Sequence, residues 1–284
     1  MNIKKDVSES LPGPIFIGGL FKSGTTLLRA MIGRHSAIAA GLETQWFNLN
    51  WEGDRDEAFA GHIERLRNFF QVDKPVIEQL FLKTKSAEQF IDLFLSHYAA
   101  SDGKRRWAEK TPGNILHLDR IYRAWPDAKV IHIIRDPRDV FASLKQAGKW
   151  DTVEIFIDLW CEYLGAAEDF KRRSEHGKDR FMELRYERLV ERPVETMRRV
   201  LDFVGEAWEP RTARFQGEKD DFNKVLELTG KASTTLERLG QPLSKKRVGI
   251  WKDLVTPEEI DEIHRRVEER GLLGLMEKIE KESF

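Results

Sequence analysis

Hydrophobic positions along the chain fall into short dense runs separated by longer stretches with helical spacing. Ile15-Phe16-Ile17 is uninterrupted apolar sequence ending in Gly18-Gly19, the pattern of a strand buried on both faces. From Thr25 the spacing changes, and Leu27, Leu28, Met31 and Ile32 share one broad helical face. A second strand is expected over Lys129–Ile134. It runs into Asp136-Pro137, an acceptor side chain at an N-cap followed by a proline whose missing N–H costs nothing there. A third strand is expected around Phe181–Leu184, before a helix near Val194–Val204. Thr256-Pro257-Glu258-Glu259 spells a capping box that opens a helical C-terminus.

Residues 48–106 are polar with helical stripes such as Ile63, Leu66, Phe69 and Phe70, and Ser86-x-x-Gln89 has the form of another capping box. This stretch is expected to be an inserted helical section. Residues 1–13, closed by Pro12-Gly13-Pro14, read as a loose leader. Strands separated by helices predict a parallel sheet. With no Pro/Gly/Ser-rich linker, the 284 residues are expected to form one α/β domain.

Charge excludes one class of partner. The chain carries 47 Lys+Arg against 48 Asp+Glu, a net −1, so no global positive excess would hold a nucleic acid backbone. The single Cys161 leaves no internal disulfide and no cysteine metal cluster. The histidines lack ligand spacing, so no metal is expected. Lys4 and Lys5 are followed by Asp6, Ser8, Glu9 and Ser10, where a signal peptide needs apolar residues. No apolar run approaches the roughly 20 residues of a membrane span. The expectation is a cytoplasmic protein.

The chemistry concentrates in the first strand-to-helix loop, Gly18-Gly19-Leu20-Phe21-Lys22-Ser23-Gly24-Thr25-Thr26. Glycines permit close backbone approach, and a helix start offers unpaired N–H groups and partial positive charge. Lys22 adds a full charge, and Thr25 and Thr26 add hydroxyls; the loop is expected to bind phosphate. Against the nucleoside-triphosphatase pattern G-x-x-x-x-G-K-[ST], Gly19, Gly24 and Thr26 fit. The lysine position, however, holds Thr25, and the lysine sits upstream at Lys22.

That displaced lysine gives the segment its resemblance to the 5′-phosphosulfate loop of sulfotransferases that use 3′-phosphoadenosine-5′-phosphosulfate (PAPS), a family with a P-loop-like parallel β-sheet flanked by helices. The stretch FIGGLFKSGTTLLRAMIGRHSAIAAGLET looks most like the tyrosylprotein sulfotransferase branch, with Phe21 in place of the usual proline. The segment Arg135-Asp-Pro-Arg-Asp-Val-Phe-Ala-Ser143 resembles the family's 3′-phosphate motif. An arginine at a strand end, a hydroxyl and a helix start make a reasonable phosphomonoester clamp.

The resemblance implies further roles. Lys22, Ser23, Gly24, Thr25, Thr26, Arg135, Ser143 and Tyr186 would hold PAPS and its product, adenosine 3′,5′-bisphosphate (PAP). Lys246 and Arg247 belong to a compressed form of the basic Gly- and Trp-containing loop that covers the nucleotide. Glu43 matches the second acidic position of the branch's G-E-E-T, the general base there. Leu42 replaces the first Glu, and Gln45 replaces an arginine that positions the reacting groups. Lys110 resembles a lysine approaching the transferring sulfuryl group. Pro112 stands where the cytosolic branch has a catalytic histidine, leaving His117 only as a fallback base.

Catalysis would then rest on Lys22, Glu43 and Lys110. The acceptor is open among peptide tyrosine, a phenol, a sugar and a lipid alcohol. Trp46, Phe47 and Trp51 read as core first and as an acceptor pocket second. Two other readings stand beside transfer: a P-loop nucleotide kinase or hydrolase with Asp136 ending a Walker-B strand, and a non-catalytic nucleotide-binding module.

Overall fold

The computed structural model describes residues 12–49, 51, 55–148, 152–173, 177–217 and 239–281. Most of the expected leader lies outside the described residues. Gly13 is not loose: its carbonyl accepts from Arg106 Nε at 2.7 Å, and a Cβ there would stand 2.2 Å from the Asp127 carbonyl oxygen.

Among the described residues, β1 (Ile15–Gly18), β2 (Ile38–Ala40), β3 (Arg106–Lys110), β4 (Lys129–Ile134) and β5 (Phe181–Arg185) form a parallel sheet of order β2-β3-β1-β4-β5. The apolar run Ile15–Ile17 takes the centre because both its faces are covered. Phe16 meets Trp107 edge-on at 5.5 Å on one side, while Ile15 and Ile17 join the other core. Ile17 lies beside Lys110 in one register and Ile131 in the other.

The helices follow as α1 (Thr25–Gly33), α2 (Arg55–Phe70), α3 (Lys74–Leu82), α4 (Ala87–Ser101), α5 (Leu118–Ala124), α6 (Pro137–Gln146), α7 (Val153–Arg173), α8 (Gly177–Arg180), α9 (Tyr186–Glu191) and α10 (Pro193–Val204). Apolar faces of α1, α9 and α10 cover the Ile15/Ile17 side, and those of α4 to α7 cover the Phe16 side. No described helix is long and apolar enough to cross a membrane.

The helical section expected over 48–106 is α2, α3 and α4, but it overruns into β3. That strand was hidden because RWAEK carries three charged residues, all buried. Each charge is met: Arg106 donates to the Val204 carbonyl at 2.6 Å and pairs with Glu206 at 3.2 Å. Ser86 accepts from Gln89 N at 3.2 Å, but Gln89 Oε1 accepts from Lys85 N, one residue before the position of a reciprocal box. The Thr256–Glu259 box closes in both directions.

Candidate active site

The loop after β1 passes over the end of β4 with no room for a side chain. A Cβ on Gly19, at φ +141°, would stand 2.2 Å from the Ile133 carbonyl oxygen. Lys22 is held at φ +66°, a left-handed conformation that turns the loop back toward α1. Among the described residues no side chain caps α1, so its first N–H groups face whatever the loop encloses.

That space is a cavity of about 420 Å³. Lys22, Gly24, Thr25, Thr26, Arg135, Ser143, Tyr186, Lys246 and Arg247 all line it, although they come from four separate parts of the chain. Ser23 is buried inside the loop. Arg135 donates to the Lys22 carbonyl at 2.9 Å and to the Arg247 carbonyl, and its guanidinium stands 4.6 Å from the Tyr186 ring centroid. Among the described residues its buried Nε has no hydrogen-bond partner. A buried guanidinium N–H without an acceptor is costly. Arg247 donates to Ser143 Oγ at 3.1 Å, which seats the C-terminal basic loop on α6.

The loop is latched from beneath. Asp139 accepts from the backbone N–H groups of Gly249 at 2.8 Å and Trp251 at 3.1 Å, and the Arg138 guanidinium stacks on the Trp251 ring at 4.1 Å. Asp139→Ala would orphan two backbone donors at about 1–3 kcal/mol each. The expected result is faster tryptic cleavage after Lys245, Lys246 and Arg247; wild-type cleavage rates would show that the latch lies elsewhere.

Thr26 links the cavity to a second cluster. Lys110 Nζ donates to Thr26 Oγ1 at 3.3 Å and to Glu43 Oε1 at 2.5 Å. Arg65 on α2 donates through Nε to the Glu43 carbonyl at 2.9 Å, with its NH2 3.9 Å from Glu43 Oε2. Burial would raise the Glu43 carboxyl, but Lys110, Arg65 and Arg29 outweigh it and hold it below the usual range. Burial lowers the Lys110 ammonium, with Glu43 opposing. Glu43 keeps 29% of its side chain exposed, against 2% for Lys110. It can therefore meet an incoming group that Lys110 meets only from inside.

Some residues stand apart from this cluster. His117 stacks on Phe47 at 4.3 Å and packs against Trp46. Trp46 is core, its indole N–H donating to Asn114 Oδ1 at 3.1 Å. Asp136 caps α6 at Arg138 N and pairs with the Arg138 guanidinium at 2.7 Å, so its carboxylate is already engaged. Sequence reasoning missed Arg65, Glu109 and the apolar cavity wall of Phe215, Leu239 and Leu243. Phe215 and Leu243 sit in irregular chain, where no periodicity marks them.

A family model described as "Sulfotransferase family" matches residues 14–210. The chain belongs to that family. It is 27% identical over 292 residues to nodulation protein NoeE of Sinorhizobium fredii, an alignment covering 92% of this chain and 65% of the relative. It is 26% identical over 203 residues to the protein-tyrosine sulfotransferase of Drosophila melanogaster, covering 68% of this chain and 38% of the relative. The chain thus spans less than two thirds of either relative's length. The fold resembles the sulfotransferase domain of the Synechococcus PCC 7002 olefin synthase, with TM-score 0.67 and 18% identity over 90% of this chain and 94% of that one.

Proposed function

We propose that this protein moves a sulfuryl group from PAPS to an acceptor hydroxyl. The observation that carries the reading is the Thr26 bridge, which joins a two-ended anion cavity to a carboxylate–ammonium pair. The residues present fit the nucleotide: Lys22, Arg135 and Arg247 in the cavity wall, an uncapped helix start and a Gly24 against which Tyr186 packs too closely for a Cβ. Bound PAPS would supply the activated sulfuryl group as a phosphate–sulfate anhydride.

The chain's own residues do the rest. Lys22, Thr25, Thr26 and the start of α1 would hold the 5′-phosphate. Arg135, Ser143, Arg247 and Tyr186 would hold the 3′-phosphate, with Lys246 adding charge at the rim. Phe215, Leu239 and Leu243 offer an apolar wall for the base. Glu43 takes the acceptor proton, Lys110 holds positive charge beside the moving group, and Lys22 stabilises charge growing on the departing phosphate. The acceptor class is a hydroxyl. Gln45, in place of the branch's arginine, separates this chain from peptide-tyrosine enzymes, while a named protein-tyrosine sulfotransferase among its relatives makes phenols the first acceptors to try.

Calorimetry with two nucleotides tests the assignment. A charged hydrogen bond is worth about 1.5–3 kcal/mol, so Arg135→Ala should weaken PAP roughly 10- to 150-fold. Adenosine 5′-phosphate, which lacks the 3′ group, should lose far less. Equal losses would remove Arg135 from the 3′ site. Transfer should also persist in chelator, because a sulfuryl group carries less charge than a phosphoryl group and Lys22, Lys110 and helix-end amides suffice. A strict need for Mg²⁺ restored by added metal would favour a kinase.

A further inference from the structure

Glu109 lies next to Lys110 in β3, is 1% exposed, and has no part in the roles above. Strand alternation sends the two side chains to opposite faces, yet both reach the same dipeptide. Lys110 takes the Glu43 carboxylate. Glu109 Oε1 accepts from Thr44 N at 3.2 Å, Thr44 Oγ1 at 2.8 Å and Thr111 Oγ1 at 2.6 Å, and Oε2 accepts from Asn114 Nδ2 at 2.6 Å. Four donors converge on one buried carboxyl group; burial raises it above the ordinary carboxylate value, and the bonds from Thr111, Asn114 and Thr44 oppose that pull and favour its charged form. Asn114 is committed in turn: its Nδ2 also donates to the Ile17 carbonyl at 3.0 Å, and its Oδ1 accepts from Trp46. The group is therefore fixed to the central strand and to the core.

The charges around Lys110 explain why a second carboxylate belongs there. Glu43 faces it from the loop after β2, Arg29 from α1 and Glu109 from its own strand. Arg65 on α2 faces both carboxylates, and Tyr163 on α7 faces Glu43. In the proposed reaction the acceptor O–H proton passes to Glu43 and the acceptor oxygen forms a bond to sulfur. The bond between sulfur and the bridging phosphate oxygen breaks, and its electron pair leaves with PAP. Once Glu43 is protonated, Lys110 has lost its hydrogen-bonded counter-charge at the moment its own charge is most needed. A buried ammonium left alone would shed its proton.

Resting on that reading of the site, we infer that Glu109 is a positioning residue with two tasks. Through Thr44 it fixes the backbone that carries Glu43, and as the remaining negative charge it keeps Lys110 protonated while Glu43 holds the acceptor's proton. A purely structural Glu109 would perform the first task alone.

Two measurements separate these. Glu109→Gln should lower kcat roughly 10- to 150-fold, the loss expected when hydrogen bonding to a charged group is disrupted, and move the alkaline limb of kcat to lower pH. PAP affinity should hold, because Glu109 is absent from the cavity lining, and PAP-induced thermal stabilisation certifies folding. Thr44→Val, which removes the hydroxyl contact and keeps the carboxylate, should lower kcat without moving that limb. An unmoved limb in Glu109→Gln, or an equal shift in Thr44→Val, overturns the charge role.

The second measurement needs no change at 109. Glu43→Gln mimics the proton-loaded base, and the ¹⁵N signal of Lys110 Nζ in the nucleotide-free variant should remain that of an ammonium at pH 7. An amine signal there sinks the inference even if Glu109→Gln fails to fold. Failure of the wild type to bind PAP at all would instead strike the proposed function.

Discussion

Glu43→Gln is expected to cut turnover about 10²–10⁴-fold, the usual contribution of a positioned base, while PAP affinity stays near wild type. The substitution keeps size and polarity. It also leaves the Arg65 contact to the residue 43 carbonyl, because that bond is made to backbone. What disappears is the ability to accept a proton. Neighbouring cations hold the Glu43 carboxyl below its ordinary value against the pull of burial, so it is charged and competent through the neutral range. Activity should fall as pH drops through that depressed value, and the Gln variant should lack this acidic limb. The same sign governs stability. A depressed carboxyl contributes stability above its unfolded pKa and loses it as pH falls through the folded one. Near-normal turnover in the variant would send the proton elsewhere, with His117 next to be tested; collapse of PAP affinity would make Glu43 a support for the loop.

Gly24→Ala is the second large effect. Gly24 sits at φ +99°, and an added Cβ would stand 2.5 Å from Tyr186 Cδ2. The backbone strain alone costs about 1–3 kcal/mol. Relief of the contact must displace the Tyr186 ring, and the Arg135 guanidinium rests on that ring. One methyl group therefore disturbs the floor of one phosphate site and the wall of the other. Thermal unfolding of the free protein should drop by about 2–4 °C per kcal/mol, and stabilisation by both PAP and adenosine 5′-phosphate should be lost together. This contrasts with Arg135→Ala, which is expected to spare the second nucleotide. Wild-type PAP stabilisation in Gly24→Ala would show that the loop tolerates a side chain there.

What could be read from sequence follows from where apolar residues do the work. β1, β4 and β5 lie within or beside their expected ranges because IFIG, KVIHII and FMELR are held chiefly by hydrophobic contacts. β2 is only Ile38–Ala40 and too short to stand out. β3 was illegible for a different reason: its charges are paired with residues as distant as Glu43 and Glu206, and such partners exist only once the chain has folded. The phosphate-loop residues were legible because adjacency in sequence is adjacency in space within a tight turn. Arg65 was not, because α2 must dock before its guanidinium reaches Glu43. Nor was the charge-bearing role inferred for Glu109, since one-residue spacing in a strand suggests opposite faces and says nothing of a shared target.

The loop before α1 and Arg135, which line the cavity together, follow β1 and β4, which are hydrogen-bonded neighbours in parallel register. Neighbouring strands lie about 4.8 Å apart, a distance fixed by backbone hydrogen bonds and nearly independent of side chains. The sheet thus acts as a ruler for whatever bridges the two loops. It rewards a molecule whose anionic groups hang from different corners of one rigid ring, and it offers little to a single free anion. That spacing does not reside in any replaceable contact. Point changes at either end alter the strength of one contact, and only a change in strand order or register would alter the distance between the two.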